Sequence, residues 1–162
     1  MYIRELIAES SQDTHLWDHV LAKLCEMVMA GQQADPHRWG MVAAAVMDPK
    51  RRLSAGVNYF DPRTGTRVHA ERAALDNYYE THGERPLRGS VIITTCSPCS
   101  EGDMTGRYAQ SCTDLIDESG IARVYAGFQD PSQPDTQRKF RVVITNNPKI
   151  NQLCERFART FL

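Results

Sequence analysis

The chain has 162 residues, 41% of them hydrophobic, enough for one α/β domain with a substantial core and too few to expect two. Its 19 basic and 20 acidic residues are interspersed and leave a net charge of −1, which excludes a strong electrostatic footprint for a nucleic-acid backbone or an anionic membrane. No signal pattern opens MYIRELIAES and no apolar run approaches the roughly 20 residues of a membrane span, so the five cysteines read as reduced thiols of a cytoplasmic protein.

No internal repeat, low-complexity tract or long linker divides the chain, and the elements run α-β-β-α-β-α-β-α. Leu16, Val20, Leu24 and Val28 recur at helical spacing, with Asp13 as a cap and Gly31 as a stop. MVAAAVM (41–47), bounded by Asp48-Pro49, suits a buried strand, and LSAGVNYF (53–60) returns as its hairpin partner. From His69, HAERAALDNYY is rich in Ala and Leu and predicts a helix lying close on a sheet, ending near Gly83. The β-branched run SVIITT (90–95) predicts a central strand. CTDLIDESG (112–120) is the next helix and RVYAGF (123–128) the next strand; RVVIT (141–145) is a candidate last strand. Ile150, Leu153, Cys154, Phe157 and Phe161 form the apolar stripe of a closing helix. Strands separated by helices imply a three-layer α-β-α sandwich around a mixed sheet of about five strands, one domain over 1–162.

In such a sheet, ligands gather at the carboxyl ends of strands and the N-termini of the following helices. Val68-His69-Ala70-Glu71 opens the second helix, and Ser97-Pro98-Cys99 follows the central strand. A zinc site accounts for both, because imidazole and thiolate suit a borderline-soft ion and three protein ligands leave a fourth position for water. Helix N-termini also favour thiolates. Cys96-x-x-Cys99 could itself be a metal chelate or redox pair, so the spacing alone leaves open which sulfurs take part.

His69-Ala70-Glu71 followed by Pro98-Cys99 resembles the zinc nucleobase deaminases, whose signature pairs H-x-E with a later P-C and a further cysteine. The short form, with the last cysteine three positions on, fails because Ser100, Glu101 and Gly102 follow Cys99. A longer form is similar to the deaminase domain of riboflavin biosynthesis: Pro98-Cys99-Ser100, then Gly106-Arg107, then Cys112-Thr113-Asp114-Leu115-Ile116 at a helix start. The likeness extends loosely through Gly120–Val124 and Asp130-Pro131. It implies His69, Cys99 and Cys112 as zinc ligands and Glu71 as proton shuttle in hydrolytic deamination. Cys96 is then a bystander at the strand end, where related enzymes carry non-ligand residues.

The resemblance also nominates substrate contacts at Asn58, Ala70, Arg107 and Trp39. Asn58 matches an asparagine that many cytosine, cytidylate and adenosine deaminases place there, whereas the riboflavin enzyme has a histidine; the alternative is an amide that ends a strand. Trp39 is a stacking face for a base or a core aromatic. Arg107 is a phosphate fork or a surface ion pair. Glu101 and Asp103 either select an amino-bearing substrate or are solvated. Cys25 and Cys154 sit on apolar stripes and read as core fillers; His15, His19, His37 and His82 read as solvated or structural. The function implied is deamination of a small aminated pyrimidine or purine, as base, nucleoside or nucleotide. Alternatives are a nucleic-acid-editing or binding module on the same fold, against which the near-neutral charge counts, and a riboflavin-pathway deaminase lacking its reductase domain. A structural zinc protein is disfavoured by Glu71 standing beside three ligands rather than four. No membrane partner is expected, and relatives that dimerise leave a homodimer open.

Overall fold

The computed structural model describes residues 11–36, 41–99, 110–131 and 139–160. Strand β1 (Ala43–Met47) is buried at every position. Its side chains alternate between two cores: Ala43, Ala45 and Met47 join one apolar cluster, Ala44 and Val46 the other. Such a strand must lie within a sheet covered on both faces. It pairs antiparallel with β2 (Leu53–Val57) and with β5 (Val91–Thr94). Strand β5 runs parallel to β6 (Arg123–Ala126), and β6 parallel to β7 (Arg141–Ile144). The result is a mixed five-stranded sheet in the order β2-β1-β5-β6-β7.

Helices α1 (Ser11–Ala34) and α4 (Pro148–Ala158) supply one covering layer, with Leu21, Leu24, Val28, Cys154 and Phe157 against Ile93 and Tyr125. Helices α2 (Ala70–His82) and α3 (Cys112–Ser119) supply the other, with Ala74, Tyr78 and Ile116 against Ile92 and Val124. This is the layered α-β-α arrangement expected from the order of elements. Helix boundaries follow their caps. Gly83 and Gly120 end α2 and α3 in the left-handed conformation, at φ 66° and 77°. The Asn147 side chain accepts from the amides of Lys149 and Ile150 ahead of Pro148, starting α4.

Two details depart from the sequence reading. Helix α1 runs past Gly31 to Ala34, and the Met41 side chain occupies the place where a Cβ on Gly31 would stand. That glycine serves a close contact rather than a stop. The run 53–60 is also not one strand. Asn58 exchanges hydrogen bonds with Val42, accepting at Oδ1 from its amide at 2.9 Å and donating its own amide to its carbonyl at 3.1 Å. The chain then restarts as β3 (Tyr59–Asp61), which pairs with β4 (Thr66–Val68) in a separate two-stranded ribbon that leads into α2.

Helix α2 lies directly on β2. A Cβ added to Gly56 would stand 2.6 Å from the Ala74 amide nitrogen and 2.7 Å from Ala73 Cβ, so the seam depends on the missing side chain. Asn77 Nδ2 donates to Ala55 O at 2.8 Å along the same seam. Farther along α2, the Tyr78 hydroxyl donates to Asp48 Oδ2 at 2.6 Å, and Arg52 Nε reaches the same oxygen at 2.6 Å. Burial alone would raise the Asp48 pKa, but these hydrogen bonds outweigh it and hold the group at about 2.

Gly56→Ala is expected to lower stability by about 1–3 kcal/mol in urea denaturation, because either helix or strand must shift. Asp48 makes a separate contribution to pH dependence. Its folded pKa lies below the ordinary 3.8, so its stabilisation is fully present above that value and is lost as the pH falls towards 2. Asp48→Asn should therefore lose about 1–2 kcal/mol at pH 7 relative to the parent, and the difference should shrink when unfolding is measured near pH 3.

Candidate metal centre and active site

Three elements converge at the carboxyl end of β5. His69 is the N-cap of α2, in extended conformation at φ −74° and ψ 156°, and its side chain makes no capping bond to the helix. The imidazole is thereby turned away from the helix amides. Cys99 follows β5 through Thr95-Cys96-Ser97-Pro98, a segment fixed from both sides. The Thr95 amide donates to Ala43 O at 3.0 Å, the Ser97 amide to Phe128 O at 2.9 Å, and the Asp130 amide to Ser97 Oγ at 2.9 Å. Cys112 is the first residue of α3, behind the Ser111 N-cap, whose hydroxyl accepts from the Asp114 amide at 3.1 Å. Thr113 ties the two cysteine segments together: its amide and hydroxyl donate to Cys99 O at 3.1 and 2.9 Å.

The donor atoms of His69, Cys99 and Cys112 all lie within 4.8 Å of one another. His69 Nδ1 is 3.2 Å from Cys112 Sγ and 3.4 Å from Cys99 Sγ. Tetrahedral zinc, with ordinary bond lengths to nitrogen and sulfur, places such atoms about 3.6 Å apart, so the spacing and the donor chemistry both suit the ion. Cys96 is not a member of this group. It is buried, and burial, then the negative charge of Glu71, push its thiol up to about 12. Cys99 and Cys112 are driven apart. The Cys112 thiol donates a hydrogen bond that outweighs burial and lowers Cys99 to about 5, with His69 and the Cys112 amide adding to the effect. The same hydrogen bond, with burial, raises Cys112.

Glu71 lies in the first turn of α2 and is 4% exposed. Its Oε2 is 3.4 Å from Cys112 Sγ, which places the carboxylate against the edge of the donor group. Burial raises its pKa, partly offset by the His69 charge. Thr94 Oγ1 stands 3.4 Å from Glu71 Oε1 and donates to Cys96 O at 2.9 Å. Sequence reasoning overlooked this threonine. Its signal was the period of two along β5: Ile92 faces α2, so Thr94, two residues on, puts a hydroxyl on the same inner face.

Of the nominated substrate contacts, two fall among the described residues. Ala70 opens α2 with its side chain fully buried in the second core cluster. Asn58 is 8% exposed, and the oxygen of its amide is bonded to Val42, the strand-ending role described above. Trp39 and Arg107 lie outside the described residues, as do Glu101, Asp103 and His37. His15 and His19 border a surface depression on α1, and the ring of His82 packs at a 57° tilt against Tyr78 with centroids 4.5 Å apart; none of the three belongs to the donor group.

The layered α/β sheet thus carries, at a strand end, a His-Cys-Cys group and a buried glutamate, a donor set that suits a zinc ion with an open fourth position. Residues 16–128 match the cytidine and deoxycytidylate deaminase zinc-binding region, and the chain belongs to that family. A solved relative is the diaminohydroxyphosphoribosylaminopyrimidine deaminase/5-amino-6-(5-phosphoribosylamino)uracil reductase of Thermotoga maritima. It aligns at 28% identity with a TM-score of 0.62, over 89% of this chain and 40% of that one, so the present chain spans less than half of it. A tRNA deaminase that edits adenosine to inosine at the wobble position aligns at 21% identity with a TM-score of 0.53, over 83% of this chain and 94% of that one, a likeness of fold. No curated protein matches the chain. Among the described residues no helix is long and apolar enough to cross a membrane.

Proposed function

We propose that His69, Cys99 and Cys112 hold the zinc, and that Glu71 moves protons in the deamination of a small aminated pyrimidine or purine. The observation that carries this reading is the placement of a buried carboxylate 3.4 Å from one sulfur of a three-donor group that lacks a fourth protein ligand among the described residues. Zinc in such a set supplies a nucleophile near neutral pH by lowering the pKa of a water.

The chain's own groups account for the rest. Glu71, buried beside Thr94, is the group that takes a proton and passes it to a ring nitrogen and then to the departing amine. Its burial keeps the proton exchange off bulk solvent, and its raised pKa brings it towards the range in which a carboxyl both accepts and donates. The start of α2 helps in a second way. Its first-turn amides have no intrahelical acceptor, and the Glu71 amide bonds to the Glu71 carboxylate, so the partial positive end of the helix supports negative charge there.

A small substrate is favoured by the near-neutral charge, which supplies no basic track for a polynucleotide. A narrower second reading, deamination of a phosphoribosylamino-pyrimidine as in riboflavin synthesis, is supported by the 28% identity to the Thermotoga maritima protein.

Two measurements test the assignment. Ammonia release should be measured from a panel of cytosine, guanine, adenine and riboflavin-precursor compounds. One member should be turned over, and Glu71→Gln should lower kcat by about 10²–10⁴-fold while zinc stays bound. Equal turnover by parent and variant would remove Glu71 from the mechanism. Zinc content after dialysis should fall in Cys99→Ala and Cys112→Ala and persist in Cys96→Ala; retention by Cys112→Ala would mean that another donor completes the set.

A further inference from the structure

Two cysteines that the zinc reading leaves aside meet in the opposite core. Cys25, on α1, and Cys154, on α4, are each 1% exposed and belong to the apolar cluster between those helices and the sheet. Their sulfurs are 3.6 Å apart, in van der Waals contact, although 129 residues separate them in the chain. Cys154 is walled in on its far side. A Cβ on Gly127 would overlap its sulfur, and Thr95 O lines the same spot, so Cys25 is the neighbour towards which that sulfur can move.

We propose that Cys25 and Cys154 are an oxidisable dithiol that closes into a disulfide joining α1 to α4, apart from the cysteines of the zinc group. Core filling alone would be met by two alanines or valines, whereas two sulfurs in contact across distant elements are one bond short of a crosslink. The bond needs the sulfurs to approach by about 1.5 Å.

Hydrogen peroxide is the oxidant. The Cys25 thiolate attacks one of its oxygens, the O–O bond breaks, and a sulfenic acid forms while the departing hydroxide takes up the proton given up by the Cys25 thiol and leaves as water. The Cys154 sulfur then attacks the Cys25 sulfur, the S–O bond breaks, and a second water leaves; the two thiols lose two electrons and two protons to the peroxide. Either sulfur can donate to the other at 3.6 Å, so the same bond forms whichever of the two is oxidised first. Hydrogen peroxide is small enough to reach a closely packed pair through local opening of α4.

The crosslink would close a loop spanning most of the chain and restrict the unfolded state. The test uses the zinc-loaded protein, treated with hydrogen peroxide, alkylated in denaturant and mapped by peptide mass spectrometry. A Cys25–Cys154 peptide should appear, with Cys96, Cys99 and Cys112 alkylated and zinc retained. The unfolding midpoint should rise by roughly 5–15 °C and return on treatment with dithiothreitol. Cys25→Ser and Cys154→Ser should each abolish both the crosslink and the rise. Free, alkylated Cys25 and Cys154 after treatment, a crosslink that uses Cys96, Cys99 or Cys112 instead, or oxidation that stops at a sulfinic acid would each overturn the proposal. The peptide map of the parent protein decides the matter even if a variant fails to fold.

Discussion

The approach of α2 to β2 through a seam of small residues sets the position of everything at the candidate site. Gly56 has no side chain, and Ala73 and Ala74 occupy the space one would fill, so the helix rests with its backbone against the strand. A helix seated by larger side chains would stand farther from the sheet and could settle in several ways. Here the seat is steric and unique. It holds His69 at the head of α2 and Glu71 a fraction of a turn later, both directed at the end of β5. The Asp48–Tyr78–Arg52 cluster anchors the other end of the same helix, so α2 is fixed at two points along its length.

The electrostatics of the site follow from where this seat leaves the carboxylate. Glu71 is removed from water, within contact distance of a sulfur and a hydroxyl, and a buried carboxyl in that setting is held away from its ordinary ionisation. The sulfurs divide by environment in the same way. Cys99, which accepts both a thiol hydrogen and a backbone amide, is the natural thiolate; Cys96, in the turn just ahead of Pro98, keeps its proton. Residues close in sequence thus take on different chemistry through burial and hydrogen bonding alone.

Local pattern carried much of this. The apolar run 41–47 bounded by Asp48-Pro49 and the helix-ending Gly83 are short-range signals, and they located a buried strand and the end of α2. His69, Glu71 and Cys99 stand at the boundaries of such elements, and it is the resemblance to the zinc deaminases that singled them out together with Cys112. What escaped were relations between elements. The β3–β4 ribbon depends on Asn58 being drawn to Val42, and Thr94 meets Glu71 only once a helix lies over the strand. The contact between Cys25 and Cys154 joins two helix stripes, each of which reads as ordinary core. Gly31 misled because a glycine placed for close contact looks the same in sequence as one placed to end a helix. Periodicity says which face of an element is apolar and nothing about which residue it will meet.

The hydrogen bonds between Thr113 and Cys99 O bear on how such a protein can change. They join the two ends of the stretch 100–111 to each other, below anything the stretch itself contributes. A segment closed at its base in this way is a cassette: residues can be added to it, removed or exchanged while the two cysteines keep their separation and their angle to His69. The entropy of a longer insert rises only logarithmically with its length, so the fold tolerates the exchange. The mutual placement of Cys99 and Cys112 thereby rests on Thr113 and Ser111 rather than on the length of chain between them.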